Sequence, residues 1–167
     1  MKQVGKRKQS GQALIEFAFV VPILLLLALG VIEIGRYAYI SILIGNAARA
    51  GAAYGAQSNA QSVDTTGIAN AADYDFAGAT SGSTTTNGLT VSNLTVASSV
   101  SCGCDSAGTI TSAGCTTSVN PTAGSCTTGN WVVYVSVTAS GSFSGLFNYP
   151  GIPNPLAISR TAILPVA

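Results

Sequence analysis

The clearest pattern in the chain is an apolar run near its amino terminus. Residues 13–35 are apolar apart from Glu16 and Glu33. About 23 residues at a rise of 1.5 Å form a helix of roughly 34 Å, enough to cross a hydrocarbon core of about 30 Å. The pattern therefore predicts a transmembrane helix in which both carboxylates lie towards the edges of the bilayer.

The helical pattern continues through residues 37–57, which contain no proline and repeat apolar residues at helical spacing. We therefore expect a single helix of roughly forty residues. Its outer part carries a stripe of small side chains, which lets another element approach closely: Ala47, Ala48, Gly51, Ala52 and Gly55. This stripe packs either on neighbouring chains or on a sheet of the same chain, and the sequence leaves both open.

The remaining periodic segments predict a small antiparallel sheet behind a second, shorter helix. Helical spacing covers residues 64–79, and strand patterns cover 89–97, 131–139 and 156–164. The alternation shifts at Ser92-Asn93, which predicts a β-bulge. Residues 80–130 are otherwise rich in Ser, Thr, Gly and Asn and are predicted as loop. The predicted fold class is α+β, with the long amino-terminal transmembrane and amphipathic helix packed on a small antiparallel sheet that carries a disulfide-containing loop.

Charge is sparse and unevenly placed. The net charge is +1 and only 8% of residues are charged, against roughly 25% in an average soluble domain. Four cations precede the apolar run, and Arg36 follows it closely. The positive-inside rule therefore places the amino terminus in the cytoplasm and the residues after Arg36 outside. The leading cations are Lys2, Lys6, Arg7 and Lys8.

The composition argues against catalysis and nucleic-acid binding. Histidine is absent, which excludes Ser-His-Asp and Cys-His sites and any histidine metal ligand. No broad basic surface remains after the leading cations. We expect a protein that is not an enzyme and that has no cofactor, no metal and no nucleic-acid partner.

Four cysteines fall in the polar region: Cys102, Cys104, Cys115 and Cys126. In an oxidising compartment they predict two disulfides, with three possible connectivities. Each cross-link would contribute about 3 kcal/mol on the chain-entropy model. A four-thiolate zinc site is the rival, but the usual Cys-x-x-Cys spacing is missing. We expect Cys102 and Cys104 to bond elsewhere rather than to each other.

Glu16 needs a separate explanation because a carboxylate near a membrane span costs free energy unless it is compensated. A secretory signal peptide has a shorter apolar core, of about 7–15 residues. A plain uncleaved anchor leaves Glu16 unexplained, unless its side chain reaches the headgroups or Lys8. A pilin-type leader is a short basic peptide, a glycine and then a glutamate five residues later, which is the spacing of Gly11 and Glu16. Glu33 needs only a local ion pair with Arg36, three residues on.

Two stretches resemble a known family: "GQALIEFAFVVPILLLLALGVIEIGR" at residues 11–36 and "NAARAGAAYGA" at residues 46–56. They are similar to the TadE-like proteins, pseudopilins of the tight-adherence (Tad) branch of the type IV pilus systems. The resemblance covers about the first third of the chain. It departs from the family pattern at Gln12, a polar first mature residue, and at Phe17, where the family often has tyrosine.

The resemblance implies that a prepilin peptidase cuts between Gly11 and Gln12, and that Glu16 pairs with the free amino terminus of a neighbouring subunit. Such a pair would also fix the axial register between subunits. It divides the chain into a basic cytoplasmic leader (1–11), a transmembrane and extended pilin-like helix (12–57) and an extracytoplasmic α+β domain (58–167).

The implied function is that of a membrane-anchored, pilin-like minor subunit that assists assembly of a Tad-type pilus for secretion and surface adhesion. It would lie in the cytoplasmic (inner) membrane as a single-pass protein, or enter the pilus. Its partners would be the lipid bilayer, other pilin-like subunits, the Tad assembly platform and the prepilin peptidase. The alternative is an uncleaved single-pass membrane protein whose extracytoplasmic domain binds a partner.

Overall fold

The computed structural model describes residues 11–77, 85–86, 89–115, 126–148, 151 and 153–167. These residues form three helices: α1 (Gln12–Gly55), α2 (Asn59–Ser62) and α3 (Thr65–Ala77). They also form five strands: β1 (Thr85–Thr86), β2 (Leu89–Ser106), β3 (Thr109–Ala113), β4 (Asn130–Phe143) and β5 (Leu156–Pro165). The predicted α+β class is confirmed. The chain divides into two compact units, one up to Tyr37 and one from Ala38 to Ala167.

The first unit is the apolar part of α1. Large hydrophobic side chains from Leu14 to Ile34 are exposed on consecutive positions rather than on one face. A helix that is apolar all round is stable only inside a large core or a membrane. The helix runs through Pro22 and is long and apolar enough to span a bilayer. At 44 residues, α1 confirms the prediction of one long helix.

The second unit contains an antiparallel sheet in the order β1-β2-β4-β5. Strand β3 also pairs with β2, on the edge that faces away from β4. The β2–β4 register runs from Val91 opposite Phe143 to Asp105 opposite Asn130, and it shifts between Ser92 and Thr95. That shift is the predicted bulge. The last predicted strand is confirmed by β5.

The prediction of loop after residue 97 is wrong for the second half of β2 and for all of β3. Strand β2 continues to Ser106, turns at Ala107 and Gly108, and returns as β3. Both turn residues have positive φ, of 54° and 84°, as a two-residue hairpin turn requires. Serine, glycine and cysteine carry little intrinsic strand preference, so pairing with β3 and β4 decides the conformation here.

The core of the second unit lies where α1 crosses β4. Val135 and Val137 are fully buried and cluster with Ile68 of α3. A Cβ atom at Gly51 would stand 3.1 Å from Val137 Cγ1 and from the Ile68 carbonyl oxygen, and one at Gly55 would stand 3.0 Å from Val135 Cγ2. The small-residue stripe therefore packs on the chain's own sheet and on α3, which decides the question that the sequence left open.

Two further contacts attach α1 to the sheet. The Arg160 guanidinium of β5 donates a hydrogen bond to Ser41 Oγ, and its stem passes near Gly45. The backbone N–H of Ala167 donates to the carbonyl of Ala56 at 2.9 Å. The first contact thus links β5 to α1, and the second links the residues that directly follow these two elements.

Asp64 caps α3 and joins it to α1. Its Oδ1 accepts the Gly67 backbone N–H at 2.9 Å, and its Oδ2 accepts the Tyr54 hydroxyl at 2.9 Å. The Gly67 N–H and then the Tyr54 hydroxyl lower the pKa of Asp64, and the bond to Asp64 raises the pKa of Tyr54. Because the folded pKa of Asp64 lies below its ordinary value of 3.8, the cap stabilises the fold above that pH. This contribution is lost as the pH falls through the folded pKa.

We expect Gly51→Leu to destabilise the second unit, because the new side chain would have to displace Val137 and the α3 backbone. Overpacking of this kind lowers the free energy of unfolding by about 1–3 kcal/mol. Thermal unfolding of the full chain in detergent, followed by near-UV circular dichroism, should show a Tm lower by several degrees.

Ala53→Leu is the matched control, since Ala53 lies two residues further along the same helix and is exposed. It should change the free energy of unfolding by no more than about 0.5 kcal/mol. Equal stability of the two variants would contradict packing of the stripe on the sheet.

Candidate membrane and assembly site

The predicted processing point lies at the very start of α1. Gly11 is exposed, directly precedes the helix, and its carbonyl accepts the Ile15 backbone N–H at 3.4 Å. A Cβ atom built at Gly11 meets nothing within 4 Å. The packing of the described residues therefore does not require glycine at this position.

Glu16 projects from an apolar surface. It is exposed, and its neighbours Ile15 and Phe17 are 62% and 64% exposed. Along α1 the first basic residue is Arg36, twenty positions away and therefore about 30 Å along the helix axis. The helix itself thus offers Glu16 no compensating cation.

Glu33 differs from Glu16 in this respect. Arg36 Nη1 donates to Glu33 Oε2 at 3.0 Å, and the two side chains are only 24% and 15% exposed, respectively. This is a local pair between helical neighbours three residues apart. The charge of Glu33 is therefore compensated within its own helix.

The four cysteines form two disulfides, Cys102–Cys115 and Cys104–Cys126, with Cα–Cα distances of 5.2 and 5.8 Å. Cys102 and Cys104 are two residues apart in β2, so their side chains point to the same face, and each bonds elsewhere. One disulfide links β2 to the residues just after β3, and the other links β2 to the residues just before β4. With the sulfurs so bonded, no thiolate is left to bind zinc.

The described residues contain little else that resembles a reactive site. No group of three Cys, Asp or Glu side chains among them is placed to hold a metal ion. A pocket of about 290 Å³ is lined by hydroxyl-bearing and apolar side chains and by the disulfide-bonded Cys115, so none of its lining side chains is ionisable. The lining residues are Ser62, Val63, Thr65, Ser98, Ser99, Val100 and Cys115.

Sequence reasoning missed two polar contacts that position α1. Asp64 stands directly before the helix that begins at Thr65, and an aspartate at that position is a recognisable cap. Arg160 is the first charged residue after Asp105. A lone cation in so long an uncharged stretch marks a residue with a specific partner, which here is Ser41.

Residues 11–53 match the family described as TadE-like protein. The match confirms the resemblance over the junction at Gly11, the apolar part of α1 and most of its outer part. It covers about a quarter of the 167 residues, and the sheet and both disulfides lie outside it. No curated protein and no solved structure is significantly similar to the chain.

We expect single cysteine replacements to free the stated partner. Cys115→Ser should leave Cys102 as the thiol that reacts with an alkylating reagent after acid denaturation, and Cys126→Ser should leave Cys104. Only Gly103 separates the two, so tandem mass spectrometry that fragments the chain on either side of Gly103 must locate the label.

The unaltered protein is the control and should have a mass four hydrogens below its reduced form, with no alkylation. Labels on the opposite residues would contradict the pairing. Stoichiometric zinc with four reactive thiols would contradict the disulfides altogether.

Proposed function

We propose that this protein is a membrane-anchored, pilin-like minor subunit that assists assembly of a Tad-type pilus for secretion and surface adhesion. The observation that carries the proposal is Glu16, an exposed carboxylate on an all-apolar helix surface, five residues after Gly11. The match of residues 11–53 to the TadE-like family supports it.

Cleavage after Gly11 would give Gln12 a free ammonium group at the first residue of α1. Glu16 of a neighbouring subunit would then supply the opposite charge. Because Glu16 follows Gln12 by four residues, the pairing would offset adjacent helices by about 6 Å along their axes. In a dry environment such a pair requires good geometry, so it selects one axial register among many.

The two parts of α1 have different surroundings. From Ile40 onward its buried residues serve the chain's own core: Ile40, Ile44, Ala47, Ala48 and Ala52. The apolar part before Arg36 has its side chains exposed on every side. We assign the subunit-to-subunit and lipid contacts to this earlier part of the helix.

The charge distribution supports an orientation with the amino terminus in the cytoplasm and the sheet outside the inner membrane. The disulfides favour the same side, since they persist in oxidising compartments. In this arrangement the prepilin peptidase meets Gly11 at the cytoplasmic face, and the assembly platform and other pilin-like subunits meet α1 in the bilayer. The role is structural rather than enzymatic.

We expect Gly11→Leu to block removal of the leader while leaving the fold intact, because a side chain at this position meets open space. Intact-protein mass spectrometry of purified membranes should show a mass higher by that of residues 1–11, together with the change from glycine to leucine. The Gly30→Leu variant is the control, because Gly30 lies within α1 and also has open space around it. Its leader should be removed normally. An unaltered protein that already retains residues 1–11 would support the uncleaved single-pass anchor instead.

We expect Glu16→Gln to leave membrane insertion and leader removal unchanged and to abolish piliation. The replacement keeps the shape of the side chain and removes the charge that pairs with a neighbour's amino terminus. Breaking one partner of a buried pair costs about 3–5 kcal/mol. Pili should therefore be absent from sheared surface fractions and from electron micrographs.

Glu33→Gln is the matched control, because it removes the same charge from the same helix at a locally paired site. A pair between helical neighbours three residues apart contributes about 0.5 kcal/mol or less, so piliation should persist. Normal piliation in the Glu16→Gln strain would show that the charge has no role in assembly.

A further inference from the structure

Strand β5 is the last strand of the sheet in the described part of the chain. It pairs with β4 along one side, over its full ten residues and without a register shift. An edge strand of this kind presents a row of backbone N–H and carbonyl groups that can pair with a strand of another chain. The outer edge of β5 is therefore a candidate binding surface within the second unit.

The backbone hydrogen bonds show which groups of β5 point outward. The Val166 N–H donates to the Val133 carbonyl at 2.8 Å, and hydrogen-bonded positions alternate along an antiparallel pair. In the unbroken register, every second residue from Leu164 back to Leu156 therefore bonds to β4. The residues between them direct their backbone groups away from the sheet: Ala157, Ser159, Thr161 and Ile163. Pro165, which has no N–H, falls in the same outward set, where proline is tolerated.

The two faces of β5 carry different side chains along this edge. The outward residues have exposed, uncharged side chains on one face, and Ile163 is 62% exposed. The other face carries Arg160, which is also exposed. Arg160 donates hydrogen bonds to Ser41 Oγ and to the Ser159 carbonyl, the latter at 3.1 Å. Its charge thus has no carboxylate partner among the residues that the structure describes.

Arg160 determines which kind of strand the edge can accept. A charged residue on an edge strand disfavours pairing with any strand that cannot compensate it, and like charges opposite each other are destabilising. In the described strands the one acidic residue is Asp105, which has β3 on one side and β4 on the other. The remaining acidic residues lie in α1, in α3 or directly before α3. A strand that compensates Arg160 has to come from a different protein.

We propose that the outer edge of β5 binds an extended acidic segment of another protein by strand addition, with a carboxylate of that segment opposite Arg160. Backbone hydrogen bonds provide the affinity in this mode, and alternate side chains provide the selectivity. When the ion pair forms, Arg160 releases the Ser159 carbonyl to the new ladder. The inference goes beyond the proposed function and does not depend on it, since it concerns the second unit alone.

The spacing of the edge residues specifies the segment further. Arg160 and Ile163 are three positions apart and therefore lie on opposite faces of the strand. Side chains directly opposite each other on paired strands interact. The bound segment should accordingly carry an apolar residue three positions from its acidic one.

Hydrogen exchange of the wild-type chain in detergent micelles tests whether the edge is open. Without a partner, the outward amides should exchange severalfold faster than the amides of Ile158, Ala162 and Leu164, which bond to β4. Equal protection of the two sets would contradict an open edge. Protection of the outward amides that rises with protein concentration would assign the edge to a second copy and would overturn the proposal.

Fluorescence anisotropy with a defined peptide tests the chemistry of the partner. The probe is a blocked, labelled nonapeptide that alternates threonine and valine and carries one glutamate three positions after an isoleucine. The control peptide has glutamine in place of the glutamate. The wild-type chain should bind the probe about two- to fivefold more tightly than the control, the range of an exposed ion pair. No binding, or equal binding of both peptides, would refute recognition of a carboxylate.

Two replacements locate the binding. Ser159→Pro removes an outward N–H and leaves the bonds to β4 in place, so it should abolish binding of the probe. Ser159→Ala keeps that N–H and should bind like the wild-type chain. Arg160→Gln should bind the two peptides equally. Near-UV circular dichroism checks that each variant is folded.

The bound probe should also protect the outward amides of the wild-type chain and leave the other amides of β5 unchanged. This readout needs no replacement, so it applies even if a variant fails to fold. Binding that survives Ser159→Pro, or protection that does not alternate along β5, would place the peptide elsewhere and exclude strand addition at this edge.

Discussion

The close approach of α1 to β4 at Gly51 and Gly55 organises everything that follows Ala38. At these two positions the helix comes so near the sheet that even a methyl group would meet its neighbours at 3.0–3.1 Å. Val135 and Val137 are fully buried as a result, and Ile68 of α3 closes the cluster from the side. Elements α1, α3 and β4 meet at this contact, and Ala162 and Leu164 of β5 pack against the same small core.

Several charged residues of the protein have a partner of a different kind. Glu33 has a cation one helical turn away, Asp64 accepts a helix N–H and a tyrosine hydroxyl, and Arg160 reaches Ser41 on a neighbouring element. Glu16 has none of these within its own helix. A carboxylate in an apolar surface costs free energy unless it is compensated, and Glu16 is therefore the charge for which we propose a partner on a neighbouring chain.

The sequence predicted the elements whose side chains alternate strongly between apolar and polar. The apolar run of α1, the valines of β4 and the bulge at Ser92 were all readable, because period and burial coincide there. The strand from Ser98 to Ser106 was not predictable, since its small polar residues show no regular alternation. It is held in place by pairing with β4 and, from Cys102 onward, with β3 as well. The disulfide connectivity and the partner of the small-residue stripe were unpredictable for a related reason: both depend on which segments contact each other, and the pattern within one segment does not show this.

The number of residues between two contacting positions also sets the order in which the contacts can form. The Cys102–Cys115 bond spans 13 residues, and the β2–β3 hairpin is equally local, so both can form while later segments are still being made. The contact between Ser41 and Arg160 spans 119 residues, and α1 remains uncovered along its small-residue stripe until β4 and β5 have been synthesised. Non-local pairing of this kind slows folding. During synthesis the part of α1 that packs on the sheet therefore stays uncovered until nearly the whole chain has been made.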